Sequence, residues 1–312
     1  MSFALTVLGS SSALPTSTRF PTAQVLNVHE RFFLIDCGEG TQIQLRRFSI
    51  NMSKINNIFI SHLHGDHIFG LFGLFSTYNL MGRKQDLHIY AHKDLALTLD
   101  HYRSHFGVEM SYNIVHHPFV ASLSGKIYED KHLTVETIPL RHSVPVAGFI
   151  FREKKKPLNI RKEAIEKFNL GIRDIRRIKE GLDFTSLEGI TVANSELTYP
   201  PNQPRSFAFC TDTSSFIKLH NSLKDIDLLY FEATFAEKDK KLAKITCHST
   251  AGQAATIAKH SHVGKLLIGH FSTRYKNVSL LVNEARAIFP KTYAVEDGEK
   301  YLVNQQRVGS RA

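Results

Sequence analysis

Three imidazoles and a carboxylate stand within six residues at His62-Leu63-His64-Gly65-Asp66-His67, directly after the apolar stretch Ile58-Phe59-Ile60. Neutral imidazole nitrogen and carboxylate oxygen are ligands that a borderline cation such as zinc accepts. Without a metal, four such adjacent side chains would leave several polar groups desolvated and unpaired. The run therefore predicts a metal site at the end of a strand, where a sharp turn lets His62, His64, Asp66 and His67 converge. Gly65 is expected to permit that turn.

A catalytic two-metal site needs further ligands, and the ends of later strands are where they should stand. His142 follows Thr137-Ile138-Pro139-Leu140, Asp212 follows Phe207-Ala208-Phe209-Cys210, and His270 follows Leu266-Leu267-Ile268-Gly269. Each taken alone has an ordinary alternative as a turn residue or helix cap. Together with the run they make a coherent set. Most of the remaining histidines among the 17 read as surface or core residues.

The N-terminal half reads as short strands joined by turns, around Leu5–Leu8, Ala23–Val28, Arg31–Asp36 and Ile58–Ser61, with His29-Glu30 turning a hairpin. A helix is expected after Asp66, with Ile68, Leu71, Phe72, Phe75 and Leu80 on its apolar positions. Further strands are expected at Leu87–Ala91, Leu133–Ile138, Ala147–Phe151, Ser206–Cys210, Asp227–Phe231, Lys265–Ile268 and Thr292–Val295. Helices are expected near Thr250–His260 and Val278–Ile288. Two halves that each mix strands and helices predict a pseudo-duplicated α/β sandwich, two sheets face to face with helices outside.

Between the halves lies a different kind of segment. From Arg152 to Lys179 there are eleven basic residues against four acidic ones, so +7 of the chain's formal charge of +10 sits there. Short helices are expected at Arg161–Phe168 and Arg173–Glu180. The segment reads as an arm, residues 152–182, inserted into a single domain spanning 1–312, and its charge favours a polyanionic partner. Composition alone reads it as a solvated helical hairpin. No apolar stretch approaches the length of a membrane-spanning helix, and the N-terminal run reads as a strand and not a signal peptide. Cys37, Cys210 and Cys247 are too few and too scattered for a disulfide framework, which fits a reducing cytoplasm.

These features carry a family resemblance over nearly the whole chain. Leu8-Gly9-Ser10-Ser11-Ser12-Ala13-Leu14-Pro15, Phe33-Leu34-Ile35-Asp36-Cys37-Gly38-Glu39-Gly40-Thr41-Gln42 and the run from Ser61 to His67 resemble the metallo-β-lactamase superfamily, and within it the ribonuclease Z family. Phe231-Glu232-Ala233-Thr234-Phe235 and His248-Ser249-Thr250 match as well. The resemblance implies a four-layer αββα sandwich with an inserted basic arm. It implies two zinc ions per chain, one held by His62, His64 and His142, the other by Asp66, His67 and His270, with Asp212 bridging. Asp66 would orient or deprotonate water and His248 would protonate the leaving oxygen. The implied activity is endonucleolytic removal of the 3′ trailer from precursor tRNA, leaving a 3′-hydroxyl, by a cytoplasmic homodimer whose arm clamps the tRNA.

The chain departs from the family pattern in two places. Pro15-Thr16-Ser17-Thr18-Arg19-Phe20 keeps the proline and one arginine of a P-x-K/R-x-R-N loop but lacks its middle base and final asparagine, and the arm has no Gly-Pro pair. A small-molecule phosphodiesterase acting on cyclic nucleotides or aryl phosphodiesters is an alternative on the same metal set. So are a thioester or lactam hydrolase and a non-catalytic RNA-binding protein, because fold does not determine substrate.

Overall fold

Short, nearly continuous apolar runs, buried on both faces, open the chain as an antiparallel meander of β1 (Phe3–Gly9), β2 (Ala23–Val28) and β3 (Arg31–Cys37). His29 and Glu30 turn the hairpin with φ of 52° and 66°, the left-handed geometry whose twist matches the flanking strands. The connections then become parallel crossovers. β4 (Ile55–Phe59), β5 (Leu87–His92) and β6 (Ile114–Phe119) follow, separated by helices at Thr41–Arg47, Gly70–Leu80 and Leu95–Phe106. Pro118 lies in β6, which is an edge strand, where a missing N–H is tolerated. The computed structural model describes residues 2–106, 109–186, 188–216 and 218–305.

β7 (Lys126–Glu129), β8 (Leu133–Pro139) and β9 (Ala147–Glu153) begin a second sheet. Before it continues, the chain makes two short ribbons. One pairs β10 (Asn159–Ile160) with β13 (Thr198–Tyr199), the other β11 (Phe184–Thr185) with β12 (Thr191–Val192). The sheet resumes with β14 (Ser206–Cys210), β15 (Leu228–Glu232), β16 (Lys265–Gly269) and β17 (Thr292–Ala294), and β18 (Lys300–Leu302) returns to the edge of the first sheet. The first sheet runs β18-β1-β2-β3-β4-β5-β6 and the second β17-β16-β15-β14-β9-β8-β7.

The chain divides into two compact units. The larger comprises Met1–Asp130, Thr134–Arg152 and Arg205–Ala312. In it the sheets meet through aromatic side chains: Phe59 of β4 lies 5.3 Å from Phe151 and 5.7 Å from Phe149 of β9, and Phe33 of β3 lies 6.0 Å from Phe151, centroid to centroid. On the opposite face of the first sheet, Leu71, Leu74 and Phe75 of one helix and Leu95 and Leu99 of another bury against Leu34, Ile58 and Ile89. Helices Ala251–His260 and Ser279–Ile288 pack on each other and on strands of the second sheet. This is the expected layering of helix, sheet, sheet and helix.

Some elements escaped the sequence reading for physical reasons. Helix Leu95–Phe106 buries only Leu95, Leu99 and Tyr102, too sparse a stripe to show above its polar residues. β6 reads Ile-Val-His-His-Pro-Phe, which breaks strand alternation. Leu80, expected on a buried face, is 86% exposed because the helix ends there, at the edge of its packing.

The smaller unit comprises Lys131–Leu133 and Glu153–Pro204. Ala164, Leu170, Ile178, Val192 and Leu197 form its core. Val192 and Leu197 lie beyond residue 182, so the compact unit runs further along the chain than the basic stretch that marks it in sequence. Helix Ile172–Lys179 buries Ile178 and leaves Arg173, Arg176 and Arg177 exposed, an amphipathic arrangement that keeps the charge in solvent.

Candidate metal centre

Each expected ligand stands just beyond a strand of the larger unit, where the backbone leaves the sheet. The run His62–His67 follows β4, His142 lies between β8 and β9, Asp212 follows β14, and His270 follows β16. Asp212 and His270 adopt left-handed φ of 45° and 58°, a conformation that aims a strand-end side chain back over the sheet edge at some local cost. Two glycines let the run approach: a Cβ on Gly70 would lie 1.9 Å from the Gly38 carbonyl oxygen, and one on Gly38 2.5 Å from the Asp66 carbonyl oxygen. Gly65 serves differently from expectation. It begins a helical turn, Gly65–Ile68, without a left-handed φ, and a side chain there would meet the Phe69 ring at 2.3 Å. Its role is to leave space.

The structure brings the expected residues together. Asp212 is central, with Oδ2 at 3.5 Å from His62 Nε2 and 3.7 Å from His142 Nε2, and Oδ1 at 3.1 Å from His270 Nε2 and 3.5 Å from His67 Nε2. Asp66 Oδ2 lies 3.2 Å from His67 Nε2 and 3.8 Å from His270 Nε2. The donor atoms of His62, His64, His142 and Asp212 lie within 4.8 Å of one another and could hold one ion; those of Asp66, His67 and His270 could hold another by the same measure. A third grouping, Asp212, His248 and His270, places His248 beside the same centre.

The chemistry of this donor set fits a cation. His67 Nε2 and His270 Nε2 are buried and make no hydrogen bond despite the nearby carboxylates, so both nitrogens face the centre without a directed partner. Their other nitrogens are engaged: His67 Nδ1 lies 2.8 Å from Asp36 Oδ2, and His270 Nδ1 lies 2.9 Å from Thr234 Oγ1. Since a carboxylate only accepts, His67 carries its proton on Nδ1. Thr234 Oγ1 donates to Glu232 Oε2 at 2.6 Å, so it accepts from His270 Nδ1. His142 Nδ1 donates to the Cys247 carbonyl at 3.2 Å. Such outer hydrogen bonds select the tautomer and orient the ring for ligation.

The electrostatics agree. Burial, reinforced by neighbouring His67, holds His62 well below the ordinary imidazole range, which keeps it neutral, and burial likewise lowers His142. Burial alone would raise Asp66 and Asp212. His67 and His270 outweigh it at Asp66, as do His270, His67 and His62 at Asp212, and both stay ionised. At His67 burial is outweighed by Asp212, Asp36 and Asp66, which pull it well above its ordinary value. Several buried carboxylates thus converge where positive charge is needed.

Two further residues, Asp36 and Glu232, organise this centre, and the sequence alone assigns neither a role. Asp36, fully buried at left-handed φ of 55°, accepts from Ser61 N at 2.7 Å, from Ser61 Oγ at 2.8 Å and from His67. Glu232, also fully buried, accepts from Thr213 N at 2.7 Å and from Thr234, and lies 2.9 Å from His248 Nδ1. The only available sign was an acid closing an apolar strand, as in Leu34-Ile35-Asp36 and Tyr230-Phe231-Glu232.

Known proteins resemble the chain along its whole length. Ribonuclease Z of Phocaeicola vulgatus is 46% identical over 301 residues, covering 96% of this chain and 97% of that protein. The crystal structure of human tRNase Z, short form, matches with a TM-score of 0.70 and 25% identity, covering 96% of this chain and 99% of that one. A metallo-β-lactamase fold protein, YhfI from Bacillus subtilis, matches with a TM-score of 0.68 at 16% identity, over 96% and 99% of the two chains. Residues 3–150 also match the family described as Anti-Pycsar protein Apyc1. The sandwich is the metallo-β-lactamase fold.

Asp36→Asn replaces an oxygen that accepts from His67 or Ser61 with a donor. Affinity for a divalent ion is expected to fall by about 10- to 100-fold, measured by competition with a chromophoric chelator. Unchanged affinity would deny Asp36 its orienting role.

Proposed function

The chain belongs to the ribonuclease Z family, and from that premise we propose that its centre holds two zinc ions and hydrolyses precursor tRNA on the 3′ side, leaving a 3′-hydroxyl. The bridging position of Asp212 between two histidine groups is the observation that carries the two-ion reading. His62, His64 and His142 would hold one ion, Asp66, His67 and His270 the other, and Asp212 both. When bound, such ions supply Lewis acidity, lowering the pKa of water towards neutrality and offsetting charge on phosphoryl oxygens.

The protein's own groups account for the proton movements. Asp66, held ionised and slightly open to solvent, orients the attacking water by accepting a hydrogen bond from it. A 3′-hydroxyl product requires that the bond from phosphorus to the 3′ oxygen of the tRNA breaks, so the trailer keeps the phosphate and the departing 3′ oxygen needs a proton. His248 supplies it from Nε2, because Nδ1 is directed at Glu232. Burial works against a charged His248, but Glu232, its hydrogen bond, Asp212 and Asp66 outweigh it and raise the imidazole to about 9. It therefore carries its proton at neutral pH, as a general acid must.

The smaller unit is read as the tRNA grip. Its exposed Arg173, Arg176 and Arg177 and the Lys154-Lys155-Lys156 run suit a phosphate backbone, whose neutralisation supplies most sequence-independent affinity for nucleic acid. RNA would be recognised mainly by shape and backbone. A homodimer, with one subunit's grip serving its partner, and a cytoplasmic location follow the family; the free cysteines Cys37, Cys210 and Cys247 suit a reducing compartment. No helix among the described residues is long and apolar enough to cross a membrane.

Three experiments check this reading. His248→Ala should lower kcat on a trailer-bearing tRNA by about 10²- to 10⁴-fold with bound metal unchanged. Glu232→Gln removes the charge that raises His248, so the alkaline limb of the kcat/KM profile should move towards neutral pH; a limb that stays in place assigns the proton elsewhere. The third experiment excises residues 153–205, which hold nearly all of the smaller unit. Arg152 and Ser206 are direct partners across β9 and β14, so a short Gly-containing turn can close the gap. Cleavage of the tRNA precursor should collapse while hydrolysis of bis(p-nitrophenyl) phosphate persists. Wild-type protein that hydrolyses the small diester but leaves the precursor intact overturns the substrate assignment.

A further inference from the structure

Three arginines near the metal centre lie over phenylalanine rings, and they differ in what else they touch. Arg19 lies 4.8 Å from the centroid of Phe271, the residue after His270, and its NH1 reaches Ser10 Oγ at 3.5 Å. Arg274 lies 5.3 Å from Phe235 and is engaged by Ser272 Oγ at 3.3 Å and Asp239 Oδ1 at 3.8 Å. Arg141 lies closest, 4.3 Å from the Phe216 centroid. Its guanidinium has no hydrogen bond or ion pair among the described residues, and the residue is exposed.

The backbone around Arg141 is not loose. Its N–H donates to Thr213 Oγ1 at 3.0 Å and its carbonyl accepts from Ser214 N at 2.9 Å. Thr213 N in turn donates to Glu232. The two segments locked together here carry His142, which follows Arg141 directly, and Asp212, which precedes Thr213. An uncompensated guanidinium is thus attached to the same pair of loops that presents two of the centre's donors, and its Cζ lies over an aromatic ring. A guanidinium held over a ring loses much of the freedom of its long side chain, and its N–H groups, with no protein partner among the described residues, are available to a phosphate.

We propose that Arg141, seated on Phe216, binds a non-scissile phosphate of the RNA backbone next to the bond that is cut, and so sets the preference for a polynucleotide over a small phosphodiester. The assignment rests on the RNA-cleaving reading above. It makes Arg141 a substrate-binding residue and Phe216 the residue that positions it. An arginine that merely braced the loop would affect every substrate alike, because His142 and Asp212 would shift with it.

The test compares Arg141→Ala, Arg141→Lys and Phe216→Ala with wild type on a trailer-bearing tRNA and on bis(p-nitrophenyl) phosphate, with zinc content determined for each protein. Arg141→Ala should raise KM for the tRNA precursor by about tenfold and leave small-diester kcat/KM within about twofold, with zinc content unaltered. The dependence of log kcat/KM for the precursor on log salt concentration should flatten by about 0.7 to 1, as loss of one phosphate contact requires. Arg141→Lys, which keeps charge without the planar fork, should recover part of the loss, and Phe216→Ala should fall between it and wild type. Equal losses on both substrates, a fall in zinc content, or unchanged precursor kinetics and salt slope would overturn the proposal. If wild type hydrolyses the diester but not the precursor, the parent reading fails first and takes this assignment with it.

Discussion

One buried carboxylate organises the active end of this fold. Asp212 turns one oxygen towards His62 and His142 and the other towards His67 and His270, while only 3% of its surface remains exposed. An ionised carboxylate so deep in protein costs several kcal/mol unless positive charge compensates it. The fold accepts that cost, together with a left-handed backbone at the same residue, because β14 lies between β9 and β15 and its end faces the first sheet's His62–His67 run.

Each sheet adds a second buried acid that acts one step removed from the centre. Asp36, at the end of β3, holds His67 directly and reaches His62 through Ser61, whose Oγ lies 3.0 Å from His62 Nδ1. Glu232, at the end of β15, holds His248 directly and reaches His270 through Thr234. The two sheets therefore solve the same problem alike: a strand-end carboxylate fixes an imidazole, and a hydroxyl extends its hold to a second. The shared solution accords with the strand-and-helix repetition visible in the two halves of the chain.

Much of this was legible in the residues, and the limits were physical. The run from His62 to His67 is local, so its chemistry could be read from spacing; His142, Asp212 and His270 were found because each follows an apolar strand. The roles of Asp36 and Glu232 depend on which side chains oppose them after folding, and no spacing encodes that. Gly65 was assigned a backbone role, whereas the Phe69 ring beside it explains its small size. The end of the smaller unit at Pro204 was hidden because basic residues mark its surface, while Val192 and Leu197, which close its core, resemble ordinary loop hydrophobes. Arg141 was invisible for a similar reason, since its meaning comes from Phe216, 75 positions away.

Labour is divided between a sandwich that presents the candidate metal donors and a separately packed basic unit read as the grip for RNA. In the proposed two-ion centre, Asp212 is the residue that joins the two histidine groups. Equilibrium dialysis against zinc, followed by elemental analysis of wild type and Asp212→Ala, tests that claim directly. Two ions per wild-type chain and no more than one per variant chain are predicted. Retention of both ions by the Asp212→Ala protein would contradict it.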